Sequence, residues 1–161
     1  NNQILKRMRK GATRRSHEQL VNLLCRKPFL VNLGFVLGME GENRNTLAEV
    51  ETFAIQVATR LAGRLESITA GPVCLLPGEP MWADLRDEIA NEGCQPDYFR
   101  TDDPDIFQAQ LDWLKRRTDI AEDPERALLL VRDTAQRILA LAPNRGRFGW
   151  KMVSDEERSR L

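Results

Sequence analysis

The sequence predicts an all-α protein, a bundle of about six or seven helices ending in a C-terminal helical hairpin. Three observations carry this. Apolar residues recur at steps of three and four through most of the chain, the spacing of one buried helix face. Capping residues or prolines stand just ahead of those stretches, where helices begin. Against them stands one short apolar piece suited to extended backbone, residues 73–76, and a single piece does not make a sheet.

The elements follow in order. Residues 1–15 mix basic side chains with Gly11 and read as a frayed helix or basic linker. Ser16 is placed as an N-cap, with Glu18 in the first turn and Leu20, Leu23 and Leu24 on one face, and Pro28 ends that helix. The apolar run Phe29, Leu30, Leu33, Phe35, Val36 and Leu37 is assigned to a short helix ending near Gly38, in preference to a buried strand. Thr46 and Glu49 match a capping box, and the stripe Val50, Phe53, Ala54, Val57, Leu61, Leu65 and Ile68 makes the strongest helix, closed by Gly71 and Pro72.

Pro80 suits the first turn of a helix bearing Met81, Trp82, Leu85 and Ile89, which stops near Gly93. Asp102, Asp103 and Pro104 open another, with Phe107, Leu111 and Leu114 inward, and Asp123-Pro124 opens its successor, which runs to Pro143. The short spacing between these two implies an antiparallel hairpin. Residues 144–150 read as an Arg/Gly loop, and Ser154 caps a final helix. The predicted domains are a basic arm over 1–15, a bundle over 16–100, and the hairpin with its tail over 103–161. The predicted core includes Leu20, Leu24, Phe53, Val57, Leu61, Leu85, Phe107, Leu111, Leu114, Val131 and Ile138.

The chemistry-bearing residues are few. The chain has one histidine, His17, and three cysteines, Cys25, Cys74 and Cys94, without metal-ligand spacing. His17 has no partner evident in sequence to act with as a base, and the cysteines read as reduced thiols. Asp102, Asp103 and Asp105 resemble a site for a hard cation, but the same residues are what a helix start requires. Glu40, Glu42, Glu49 and Glu51 read as a solvated face. Gly38 to Gly41 lacks the phosphate-loop pattern. The expectation is a non-enzymatic chain without cofactor, metal or catalytic residues. No apolar run approaches the roughly 20 residues of a membrane span, so a soluble, cytoplasmic protein is expected.

Charge is the other signal. The chain is neutral overall, yet residues 1–27 carry eight basic side chains against Glu18, a local charge of +7, which leaves −7 on the remainder. Lys6, Arg7, Arg9, Lys10, Arg14 and Arg15 are the candidate contacts to nucleic-acid phosphates.

The motif of Ser16, Glu18, Leu20, Leu23, Leu24, Pro28 and Leu30, after a basic segment, resembles the start of the C-terminal helicase-binding domain of bacterial replicative primases. Residues 153–158, Val-Ser-Asp-Glu-Glu-Arg, are similar to a stretch in some primase tails. The resemblance implies a helical bundle with a terminal hairpin, and a hexameric replicative helicase as partner. The expected function is thus a protein–protein interaction domain of replication machinery, with direct DNA or RNA binding through the arm as the alternative. Trp113, Leu114, Arg116, Arg117, Phe148 and Trp150 are the expected partner contacts, since Trp and Arg are enriched at interface hot spots.

Overall fold

A computed structural model describes residues 1–94, 99 and 105–142. It corrects the fold class: the chain is mixed α/β, with a two-stranded parallel sheet among the described residues. The elements are α1 (Asn2–Arg7), α2 (Arg14–Leu24), β1 (Val31–Leu37), α3 (Arg44–Arg60), β2 (Leu65–Pro72), α4 (Pro80–Asn91), α5 (Ile106–Arg117) and α6 (Pro124–Leu139). β1, α3 and β2 form a parallel crossover unit, with Leu33 opposite Ile68, Phe35 opposite Ala70 and Leu37 opposite Pro72.

The run assigned to a second short helix is β1. Alternation decides it: Leu33, Phe35 and Leu37 point toward the core, while Asn32, Gly34 and Val36 are exposed. The long helix is also shorter than expected. Its ladder ends at Arg60, and Gly63, with φ +79°, turns the chain. Leu65 and Ile68 therefore belong to β2. Two caps sit earlier than expected. Thr13, with Ser16 as its reciprocal partner, caps α2, and Asn43 with Thr46 caps α3. The arm is partly folded: Ile4 of α1 is buried, and the Asn2 side chain accepts the Arg14 backbone N–H at 2.8 Å.

α6 covers one face of the sheet, mainly over β2, and also packs against α3 and α5. Leu37, Leu61, Ile68, Leu75, Leu85, Leu114, Val131 and Ile138 meet there, essentially without solvent exposure. Of the expected core, Val57, Leu61, Leu85, Leu111, Leu114, Val131 and Ile138 are buried, and Leu24 and Phe53 are partly so. Leu20 and Phe107 are exposed at 50% and 41%. α2 packs through Val21 and Leu24, which turns Leu20 and Leu23 outward. The expected final helix after residue 153 lies outside the described residues. No helix among the described residues is long and apolar enough to cross a membrane.

Candidate functional site

In open α/β sheets, ligands gather beyond the carboxyl ends of the strands. Here that region is the β1–α3 turn, Gly38 to Asn43, beside Val73 at the end of β2. Gly38 has φ +78°, and a side chain there would meet Leu114 Cδ2 at 3.0 Å. The turn aims the Gly38 and Met39 backbone N–H groups at one point, as anion-binding turns do. The acceptor already there is internal. Glu42 Oε2 accepts the Gly38 N–H at 2.5 Å and the Met39 N–H at 3.2 Å. Glu42 is 1% exposed, and this burial raises its pKa above the ordinary 4.5, with the two backbone donors opposing the rise.

α5 closes the same end of the sheet. The Trp113 indole N–H donates to the Gly38 carbonyl at 2.9 Å, and the Gln110 amide donates to the Val73 carbonyl at 2.6 Å. Two backbone bonds complete the seal, from the Gly41 N–H to the Arg117 carbonyl at 2.6 Å and from the Asp119 N–H to the Glu42 carbonyl at 2.8 Å. The Gly38 N–H and carbonyl, the Met39 and Gly41 N–H groups and the Glu42 carbonyl are thus occupied by the chain itself. Glu42 and Gln110 were not singled out for this role in the sequence, because it exists only once β1 is a strand.

The expected partner contacts fall largely inside this arrangement. Trp113 and Leu114 are buried. Arg116 grips Glu92 through two hydrogen bonds at 2.6 and 2.8 Å and reaches Glu88 at 3.4 Å. Its guanidinium holds the Glu92 carboxyl below the usual range, and the same bonds raise the pKa of Arg116. Arg117 pairs with Glu88 and lies over the Trp113 ring at 5.7 Å. All four thus spend most of their surface within the fold. Phe148 and Trp150 lie outside the described residues.

The six basic-arm residues divide differently. Arg14 pairs with Glu18 at 3.0 Å and lies over the Phe53 ring, and the Arg7 guanidinium lies against Gly41. Lys6, Arg9, Lys10 and Arg15 are exposed, with no ion pair to any described residue, as are Arg26 and Lys27. Beside this segment, a groove of about 320 Å³ runs between α2 and α3, floored by Val21, Phe53 and Val57 and rimmed by Glu18 and Arg60.

The remaining candidates are structural where they are described. Asp105 caps α5, accepting the Gln108 N–H at 3.0 Å; Asp102 and Asp103 lie outside the described residues. No group of three His, Cys, Asp or Glu among the described residues could hold a metal ion. The Cys25 thiol donates to the Arg60 carbonyl at 3.4 Å, and burial raises the pKa of the Cys74 thiol. No protein-family model matches the chain, and no curated protein or solved structure is significantly similar to it.

Proposed function

We propose that this chain is a non-catalytic binding module of nucleic-acid-processing machinery, and that the segment from α1 through α2 contacts the phosphate backbone. One observation carries the reading: Lys6, Arg9, Lys10, Arg15, Arg26 and Lys27 are exposed on one short stretch and unpaired with any described acid. Cations without an internal partner are free to displace counterions from a phosphate chain. Fluorescence anisotropy with a labelled DNA duplex tests it. If Lys6, Arg9, Lys10 and Arg15 each neutralise one phosphate, they contribute about −3.6 to the log–log salt slope, so a fourfold rise in salt weakens binding by about 150-fold through them alone. Replacing the four by Gln removes that contribution. Binding that ignores both salt and the four replacements rejects the reading.

A specific observation favours docking to a protein as a second reading. Leu20, Leu23 and Leu30, three residues of the primase-like motif, are exposed at 50%, 53% and 68%. Leu20 and Leu23 on α2, with Leu30 just ahead of β1 and basic neighbours between them, suit an apolar groove on a partner such as a hexameric helicase. Capture of that helicase from nuclease-treated lysate, abolished by Leu20→Asp with Leu23→Asp, supports this reading. Capture unaffected by the pair removes it.

A further inference from the structure

We propose, resting on the phosphate contact inferred above, that the groove between α2 and α3 receives one unpaired base of a single-stranded nucleic acid, whose phosphates are held by the cations flanking it on α2. The two helices run side by side in the same direction. Arg14 reaches Phe53 near one end, and Arg60 donates to Asn22 Oδ1 near the other. Each helix gives the groove one stripe. Glu18, Val21 and Asn22 stand three and four apart on α2. Phe53, Gln56, Val57 and Arg60 do the same on α3. Val21 and Val57 are buried, so with the Phe53 ring they make an apolar floor. At about 320 Å³ the groove lies at the small end of ligand sites, about 300–1,000 Å³, a size for one ring system.

The rim sets donors and acceptors beside that floor. Glu18 accepts from Arg14 through Oε1 and keeps Oε2, while Arg60 spends one N–H on Asn22, which keeps its own amide donors. The Gln56 side chain bonds to no described residue. A base has the matching form: two flat faces, and an edge carrying both donors and acceptors. Unpaired bases are recognised by stacking on aromatic rings and by hydrogen bonds to that edge. In a duplex the faces are stacked and the edges paired, so the groove selects an unpaired base. The Arg14 guanidinium lies 6.0 Å from the Phe53 centroid, at the outer limit of a cation–π contact, so a base displaces little by taking that ring.

Charge selects a base carried on a phosphate chain over a neutral ring. Arg15 stands one turn ahead of Glu18, and Arg26 four residues beyond Asn22, so both follow the stripe that lines the groove. Neither is paired with a described acid. Glu18 is the one acid among the lining residues, and Arg14 already neutralises it at 3.0 Å. The partner of Arg60 is a neutral amide. The 11 residues of α2 span about 16 Å, so the cations bracket the groove at both ends. A strand laid along α2 meets a cation, then the base site, then a second cation.

Fluorescence anisotropy at fixed salt compares three labelled probes of about 12 nucleotides: a thymine strand, an abasic strand of the same length, and a thymine–adenine duplex. The thymine strand is expected to bind about tenfold or more tighter than the abasic strand, which keeps the phosphates and lacks the bases. Phe53→Leu keeps the floor apolar and removes the ring. It is expected to cut the thymine strand's advantage about tenfold and to leave the duplex affinity unchanged. Should that variant unfold, Asn22→Ala with Gln56→Ala repeats the test at two exposed positions, and the ratio to the abasic strand cancels any gain from the released Arg60. Equal affinity for the thymine and abasic strands overturns the proposal, while salt-dependent binding of all three probes leaves the phosphate contact standing. A thymine advantage that survives the folded variants also overturns it, since the groove then has another occupant. Binding of none of the probes rejects the phosphate contact itself, and this site with it.

Discussion

Glu42 is the side chain on which the β1–α3 turn depends, and two substitutions separate its two contributions. As an acceptor, its Oε2 takes both backbone N–H groups, at 2.5 and 3.2 Å, in a site with 1% exposure. Glu42→Ala leaves both donors buried without a partner, at about 1–3 kcal/mol each, so about 2–5 kcal/mol is expected. As a charge, Glu42 carries a desolvation cost, which is why its pKa is raised. Glu42→Gln keeps a carbonyl oxygen where Oε2 stands and removes the charge, so it is expected to cost less than about 1 kcal/mol at neutral pH. The pH dependence follows from the sign of the shift. The folded chain holds the proton to higher pH than the unfolded chain does, so the unfolded state binds fewer protons between the two pKa values. Stability contributed by this group therefore falls as pH rises from the unfolded value near 4.5 to the raised folded value, and stays low above it. Urea unfolding at a series of pH values measures all three chains. Glu42→Gln should lose that part of the slope, and Glu42→Ala should be the least stable at neutral pH. Equal losses for the two variants would mean that the charge, not the acceptor, holds the turn, and the reasoning would fail.

Three further substitutions test the packing. Gly38→Ala forces a side chain into left-handed backbone with Leu114 Cδ2 at 3.0 Å, and should cost about 2 kcal/mol or more in urea unfolding. Ile138→Ala empties a fully buried position on α6 and should cost about 2–5 kcal/mol, read in the same assay. Arg116→Gln breaks the pairing with Glu92 and Glu88 at a partly solvated site, and should cost no more than about 1 kcal/mol, with most of that lost in high salt.

The helices were legible where capping chemistry is local. Pro80 opens α4, and Asp123 with Pro124 opens α6, as their sequence signals predict. The sheet was hidden by two coincidences of spacing. Leu61, Leu65 and Ile68 continue the α3 stripe at steps of four and three, so the helical period runs on across Gly63, where the backbone actually turns. Phe29 to Leu37 is apolar nearly throughout, and such a run does not separate strand from helix by period alone. Only the exposure of Asn32, Gly34 and Val36 reveals the alternation. Once β1 is missed, the turn after it is missed too, and Glu42 reads as one more solvated carboxylate. The same error placed Trp113 on a surface, because the carbonyl that receives its N–H belongs to Gly38 at the end of the unrecognised strand.

The charge pattern gains meaning from where the acids go. The chain is neutral, so a basic arm might be expected to be neutralised by its own body. The structure spends much of the body's acid elsewhere. Glu88 on α4 and Glu92, the residue that caps its C-terminus, hold Arg116 and Arg117 on α5, and Glu51 on α3 holds Arg137 on α6 at 2.8 Å. Glu42 is buried in its turn, while Asp105 and Asp123 cap helices. Among the described residues, Arg14 is the one cation of the arm with an ion-pair partner, and that partner, Glu18, stands one turn further along α2. Net neutrality is therefore a poor guide to the field at the α1–α2 surface. Paired charges on the body cancel locally within a Debye length, about 8 Å at physiological ionic strength, whereas the unpaired cations add. The proposed phosphate contact rests on cations of this face that are unpaired with any described acid, against a body that keeps a net −7, with Glu49 lying beside Asn1.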